Sequence, residues 1–272
     1  MRIIMTAGLL MALLMNAPAQ AGNIVIKGST TVLPITQAAA ETFMMNHPEI
    51  TVSVSGGGSG NGIKALIDGS TDIADSSRFI KDAEVTLAIG RGAYPVPHRV
   101  AMDCVVPVVH PDNPVGDIGM EALKGIYTGV ITNWKEVGGP DWPVTVVSRD
   151  TSSGTYEIWE EIVLKGARPT PKALLQASSG AVAQAVSNNR YTIGYVGIGY
   201  LNKDIKALSV NGIEASAATA LSGRYPITRA LFMFTSGWPT GDILLFINFI
   251  VSPEGQRIAR NEGFVPLYLL DQ

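Results

Sequence analysis

The 272-residue chain is poor in several things at once: it has one cysteine, three histidines, 7% aromatic residues and no excess of basic charge. A single cysteine, Cys104, excludes an intramolecular disulfide. The histidines at 47, 98 and 110 are scattered without metal-ligand spacing, so neither a metal nor another cofactor is expected. Twenty Lys and Arg against 23 Asp and Glu leave a formal charge of −3. Nucleic acid, whose binding calls for a basic face, is therefore not an expected partner, and any anion site must be local. Beyond residue 22 no stretch is long and apolar enough to span a membrane.

The apolar run that does occur, "IIMTAGLLMALLM" after Arg2, is shorter than the roughly 20 residues of a spanning helix. It leads into "NAPAQA", whose Ala19-Gln20-Ala21 is a small-x-small cleavage pattern. Residues 1–21 read as a secretory signal peptide, so the mature chain is expected to start at Gly22, to be soluble and to be exported. Loss of Arg2 makes it one charge more acidic. Cys104, within "AMDCVVPVV", reads as a buried, inert thiol. Hydrophobic residues make up 46% of the chain and charged ones 16%, which is ample for a core, and the length admits one large domain or two ordinary ones.

Strand and helix patterns alternate. "NIVIKGS" and "TVSVSGG" have strand character, and "LPITQAAAETFMMNH" between them puts Ile35, Ala39, Thr42 and Phe43 on one helical face. "NGIKALIDG" is helical and ends at Gly69; "VTVVS", "TYEIWEEIVLKG", "GAVAQAVSNN", "YTIGYVG" and "GDILLFINFIVS" continue the alternation. The fold class is α/β, helices covering a mainly parallel sheet, with ligands expected beyond the carboxyl ends of strands.

Two β-rich stretches, residues 94–114 and 223–236, stand outside the alternation and either pair or cross together between two lobes. The crossing reading gives a first lobe of 22–99 plus 225–272 and a second of 100–224.

The densest chemistry lies in "VVSRDTSSGTYE", residues 147–158. A strand ending at Ser148, a loop and a helix starting near Thr155 put free amides at the positive end of a helix dipole, which suits an anion. Arg149 offers a guanidinium fork, Gly154 lets an anion approach the backbone, and Ser152, Ser153 and Thr155 add hydroxyls. Ordinary capping by Ser153, with Asp150 as a dipole-stabilising acid, is the competing reading.

"SGGGSGNGIKAL", residues 55–66, fails three nucleotide or nucleophile patterns: Ile63 stands where a P-loop needs lysine, and Asn61 where a dinucleotide fingerprint or a hydrolase elbow needs glycine. A short anion nest at Gly58 and Ser59, or a plain flexible turn, remains. "KGSTTVLPI" brings Ser29, Thr30 and Thr31 to another strand-to-helix loop, with Pro34 in the first turn, and capping explains it nearly as well. "DIADSSR" carries Asp72, Asp75, Ser77 and Arg78, either a small solvated cluster or the rim of a site.

Taken in order, "GSTTVLP", "SGGGSGNGIKALIDGSTDIADSSR", "LKGIYTGVITNWKEVGG", "SRDTSSGTYEIW", "YTIGYVGIGYL" and "SPEGQRIARNEGFVPL" resemble the periplasmic phosphate-binding proteins of bacterial high-affinity ABC phosphate importers. The resemblance covers nearly the whole mature chain. It implies a two-lobed class II periplasmic binding fold, inorganic phosphate in the interlobe cleft, an inner-membrane ABC permease as partner and a periplasmic monomer without catalysis. It maps the anion ligands onto Arg149, Ser153, Gly154 and Thr155, with Ser59 and Ser29, Thr30 and Thr31 from the other lobe; Gly58, Asp75, Arg78 and Asp150 fall at the rim.

In well-known members an aspartate that accepts a proton from phosphate stands where this chain has Ser77. A carboxylate there would repel sulfate, whereas a serine repels nothing. Another tetrahedral oxyanion such as sulfate, and an exported phosphatase-like enzyme on the same pocket, therefore stay open beside phosphate binding.

Overall fold

A computed structural model describes residues 22–268; the expected leader and its cleavage at Ala21 lie outside the described residues. From the amino end, β1 (Gly22–Gly28), α1 (Leu33–Asn46), β2 (Ile50–Gly56), α2 (Ser59–Ile67), β3 (Ile73–Ser76) and α3 (Asp82–Gly90) repeat a strand-helix unit before the long β4 (Pro95–Val109). Next come β5 (Asp117–Ile118), α4 (Met120–Thr128), β6 (Thr145–Arg149) and α5 (Gly154–Trp159), which continues as a π-helical turn to Leu164. β7 (Leu174–Gln176), α6 (Ser179–Ser187), β8 (Thr192–Gly197), β9 (Lys206–Ala207), β10 (Ser209–Val210) and α7 (Ala217–Leu221) follow. The chain then returns through β11 (Thr228–Ser236) to α8 (Gly241–Val251) and α9 (Pro253–Asn261).

The main sheet runs β2-β1-β3-β11-β4-β8-β6-β7. β1 buries Ile24 and Ile26, which lie opposite Val52 of β2 and Ile73 of β3 in parallel register. The two β-rich stretches both pair and cross. β4 is antiparallel to β11 from Pro95 to Cys104, then changes partner and is antiparallel to β8 from Val105 to Val109. One continuous strand thus belongs to both halves of the molecule, and the fold is two-lobed.

Each lobe has its own apolar interior. On one face of the first-lobe sheet α1, α8 and α9 close over Ile24, Ile26, Phe43, Leu231, Met233 and Phe246; on the other α2 and α3 cover Ile63, Leu66, Ala74 and Phe234. The second lobe packs Val105–Val109, Leu123, Tyr127, Trp134, Trp159 and Tyr195 together. Among the described residues no helix is long and apolar enough to cross a membrane. Cys104 is fully buried and its thiol is pushed up to about 12, by burial first and by the neighbouring Asp103 charge second.

The buried face of α1 is rotated from the one its apolar residues suggest: Ile35, Thr36, Ala39, Ala40 and Phe43 are buried, while Thr42 is half-exposed and donates to the Ala38 carbonyl. Thr36 turns inward because its hydroxyl donates to Asp75 Oδ2 at 2.7 Å.

Candidate functional site

Strand-to-helix loops from both lobes converge at the middle of the molecule. Gly28 ends β1 at φ +144°, and a side chain there would collide with the Asp75 carbonyl at 2.1 Å. That close approach lets Ser29 N donate to the Asp75 carbonyl, which fixes the start of the Ser29–Thr31 loop. Ser29 Oγ accepts from Thr31 N at 3.1 Å and from Val32 N at 3.4 Å, so its oxygen caps the turn that opens α1. Thr30 and Thr31 instead reach across to the second lobe.

Ser59 opens α2, after Gly58 at φ +98°, and its Oγ accepts from Ser77 N at 3.0 Å, with Ser77 Oγ 3.3 Å away. Gly154 faces this pair so closely that a β-carbon on it would lie 2.5 Å from Ser59 Oγ and 2.8 Å from Ser77 Oγ. Thr31 Oγ1 is 2.9 Å from Thr155 Oγ1. Ser29, Thr30, Thr31, Ser59, Ser77, Arg149, Ser153, Gly154 and Thr155 are all buried. Thr31, Ser59, Ser77, Gly154 and Thr155 are thus brought together from the two lobes, with Thr30 and Arg149 joined to them through Ser179, while Ser29 stays bonded within its own turn.

Ser153 caps α5, accepting from Tyr156 N at 3.3 Å, as the competing reading expected. The loop before it is tied to the glycine-rich turn of the other lobe: Gly60 N donates to the Ser152 carbonyl at 3.0 Å and Ser152 Oγ to the Gly57 carbonyl at 3.3 Å. Asp150 accepts from Ser152 N and, half-exposed, stands 4.0 Å from Arg149 Nη2 at the edge of the site.

Arg149 ends β6 fully buried. Its Nε donates to the Gln176 carbonyl at 3.0 Å, Nη2 to the Ala177 carbonyl at 3.1 Å and Nη1 to Ser179 Oγ at 3.2 Å. All three acceptors are neutral, and burial pushes the guanidinium pKa down. Below it Tyr195, stacked on Trp159 with ring centroids 4.3 Å apart, places its hydroxyl 2.9 Å from Ser148 Oγ and accepts from Arg149 N.

Asp75 and Arg78 do not form the expected rim. Asp75 is fully buried beneath the loop and bonded to Thr36; burial pushes its carboxyl up to about 7, against the lowering effect of that bond. Arg78 is buried between the lobes, bidentate to Glu84 of α3 and 2.8 Å from Glu157 of α5. The Glu157 contact is an ion pair without hydrogen-bond alignment, since Nε has no aligned acceptor. Each side chain is engaged inside the protein, Arg78 by two carboxylates and Asp75 through Oδ2 alone, its Oδ1 having no partner among the described residues. Asp72 accepts from Val25 N at 2.8 Å, a structural contact.

Three residues of the cluster were not singled out by the sequence. Ser179 opens α6, and its Oγ lies 3.4 Å from both Thr30 Oγ1 and Thr31 Oγ1. "QASSGAV" carries the same Ser-Ser-Gly signal as the Arg149 loop. Arg229 of β11 pairs with Asp103 of β4, Nη2 at 2.7 Å and Nε at 2.9 Å, and Nη2 also points at Thr31 Oγ1 at 3.4 Å. Their signal was charge within largely apolar strands, Arg229 in β11 and Asp103, with Arg99, in β4. Among the described residues no group of three or more His, Cys, Asp and Glu could hold a metal.

A PBP superfamily domain matches residues 16–254. The phosphate-binding protein PstS of Bacillus subtilis is 35% identical over 248 residues, 90% of this chain and 81% of that one. A substrate-binding protein of Clostridium perfringens, assigned to phosphate ABC transport and solved with bound phosphate, superposes with a TM-score of 0.86 at 33% identity, covering 91% of this chain and all of that one. An ABC-type phosphate transport receptor from Vibrio cholerae gives a TM-score of 0.72 at 31% identity over 89% of this chain and 99% of its own.

Proposed function

The chain belongs to the PBP superfamily and within it to the family of PstS phosphate-binding proteins, and from that membership and the cleft geometry we propose that it binds inorganic phosphate between its lobes and delivers it to an ABC permease. The observation that carries the reading is Arg149: a buried guanidinium whose hydrogen bonds all go to neutral oxygens, its nearest carboxylate 4.0 Å away. A buried charge of this kind is stabilised by an anionic partner. The hydroxyls of Thr30, Thr31, Ser59, Ser77, Thr155 and Ser179 and the amides at the start of α2 and α5 supply further donors for a tetrahedral oxyanion.

The protein acts on this reading without catalysis, as a periplasmic monomer released from its leader near Ala21. The lobes hinge where β4 changes partner between Cys104 and Val105 and where the chain returns ahead of Thr228. Ser77 favours a second reading, a pocket that also accepts sulfate, because its hydroxyl donates as readily to one anion as to the other. Calorimetric titration of ligand-stripped protein tests both. Saturable phosphate binding is expected; absence of heat with phosphate overturns the first reading, and equal affinity for sulfate establishes the second. Turnover of a chromogenic phosphate ester would instead make it an enzyme.

A further inference from the structure

We infer that Arg229, held by Asp103, is a second cationic ligand of the bound anion, reaching it from the strands that join the lobes; this rests on the phosphate-binding reading above. The guanidinium is planar, and its Nε–Nη2 edge faces Asp103 Oδ2 at 2.9 and 2.7 Å. The other proton of Nη2 points at Thr31 Oγ1. One proton of Nη1 lies parallel to it along the adjoining edge, so that edge faces the hydroxyl cluster. Nη1 is buried and has no hydrogen-bond partner among the described residues. Arg229 is 6% exposed, so this donor has little recourse to solvent.

The surroundings are arranged to hold the group in that orientation. Asp103 Oδ1 accepts from Ile198 N at 2.9 Å, which fixes the carboxylate, and Arg229 stands directly opposite Asp103 in the antiparallel register of β11 and β4. Gly197 leaves the space for Asp103, since a β-carbon there would come within 2.9 Å of Oδ1. Thr31, which Arg229 contacts, is 2.9 Å from Thr155 Oγ1 and 3.4 Å from Ser179 Oγ, and Ser179 is bonded to Arg149. Two guanidiniums thus approach one set of hydroxyls, and the charge of Arg229 is felt at Arg149. Asp103 is the buried carboxylate that opposes them, the half-exposed Asp150 standing 4.0 Å from Arg149 Nη2 at the edge of the site, and the surplus of buried positive charge favours an anion at their meeting point. Asp103 is a positioning residue in this arrangement, and Arg229 the ligand.

The test pairs a variant with a direct observation. Arg229→Met combined with Asp103→Asn removes both charges, so that no buried carboxylate is stranded, and its melting curve checks that it folds. Inorganic phosphate is titrated into wild type, this double variant and Arg149→Ala. Loss of one charge-assisted donor predicts phosphate affinity about 10- to 100-fold weaker in the folded double variant. A crystal structure of the phosphate-loaded wild type should place Nη1 about 3 Å from an anion oxygen. Unchanged affinity in the folded double variant overturns the inference, and so does a phosphate with no Arg229 contact, even if the variant fails to fold. Either result leaves phosphate binding standing if wild type binds and Arg149→Ala does not; a wild type that binds no phosphate removes both.

Discussion

Thr31 of the first lobe and Thr155 of the second meet hydroxyl to hydroxyl at 2.9 Å, although 124 residues separate them in the chain. The contact means that the two loops expected to share an anion are in register only while the lobes are closed on each other. Whatever holds the lobes together then contributes to affinity without touching the ligand.

Glu157 is such a group. It faces Arg78 at 2.8 Å and Lys81 at 2.5 Å, both from the first lobe, while Arg78 stays bound to Glu84 within its own lobe. Glu157→Gln should weaken the closed state and leave each lobe intact. Phosphate release, followed by stopped-flow fluorescence, is expected to quicken by about tenfold, equivalent to about 1.4 kcal/mol. An unchanged release rate would show that the ion pair carries no part of closure.

Gly154 sits where the lobes touch most tightly. The β-carbon of Gly154→Ala would press on Ser59 Oγ and Ser77 Oγ at 2.5 and 2.8 Å, and both hydroxyls are anchored on short stems. The variant should fold normally, because neither lobe interior is altered, but should resist closing. Small-angle scattering with saturating phosphate is expected to give larger dimensions than wild type, with affinity at least tenfold lower. Wild-type compaction in the variant would contradict the tight contact.

Arg149→Ala removes the charge itself. Charged hydrogen bonds contribute about 1.5 to 3 kcal/mol each, so losing two should weaken phosphate by several kcal/mol. The Gln176 and Ala177 carbonyls and Ser179 Oγ lose their donor as well, so a modest drop in melting temperature is expected beside it. A folded variant with unaltered calorimetric affinity would take the centre out of the proposed function.

What the sequence disclosed of this site was what it holds contiguously. Arg149, Ser153, Gly154 and Thr155 sit in seven residues between a strand and a helix, so local rules of capping and dipoles reach them. Ser179 carries the same local signal, but β7 before it has only three residues and leaves Leu174 and Leu175 exposed, so no strand pattern announced the loop. Arg229 and Asp103 lie 126 positions apart and become partners only through the pairing of β4 with β11, which no local period encodes. Thr36 was missed for a related reason: an apolar pattern cannot tell which polar residue on a helix flank will turn inward to satisfy a buried carboxylate.

Ser77 bears on selectivity. Its hydroxyl is 3.3 Å from Ser59 Oγ and lies within reach of the Gly154 backbone, inside the cluster. Ser77→Asp would put a carboxylate there. Phosphate can donate a proton to it and should lose little, while fully ionised sulfate should be repelled strongly in a dry cleft. Competitive titration is expected to show the phosphate-over-sulfate ratio rising; equal loss of both anions would mean that Ser77 does not face the ligand.

Asp75 links the fold to pH. Its carboxyl is fully buried, holds one hydrogen bond from Thr36, and is pushed up to about 7 by burial. In the unfolded chain an aspartate titrates near its ordinary value of about 3.9. Between these two values the folded protein keeps a proton that the unfolded chain has released. The contribution of Asp75 to stability should therefore be greatest below about pH 4, fall as pH rises to about 7 and level off above it. Asp75→Asn keeps an acceptor for Thr36 and has no proton to lose, so this slope should vanish. At pH 8 the variant should be more stable than wild type by a few kcal/mol, with roughly 4 as the ceiling because each pH step of one across that interval contributes about 1.4 kcal/mol. At pH 4 the two should be nearly equal. Urea unfolding at pH 4, 6 and 8 measures it, and parallel curves for the two proteins would mean that Asp75 is ionised in the folded state throughout, stabilised by something other than Thr36.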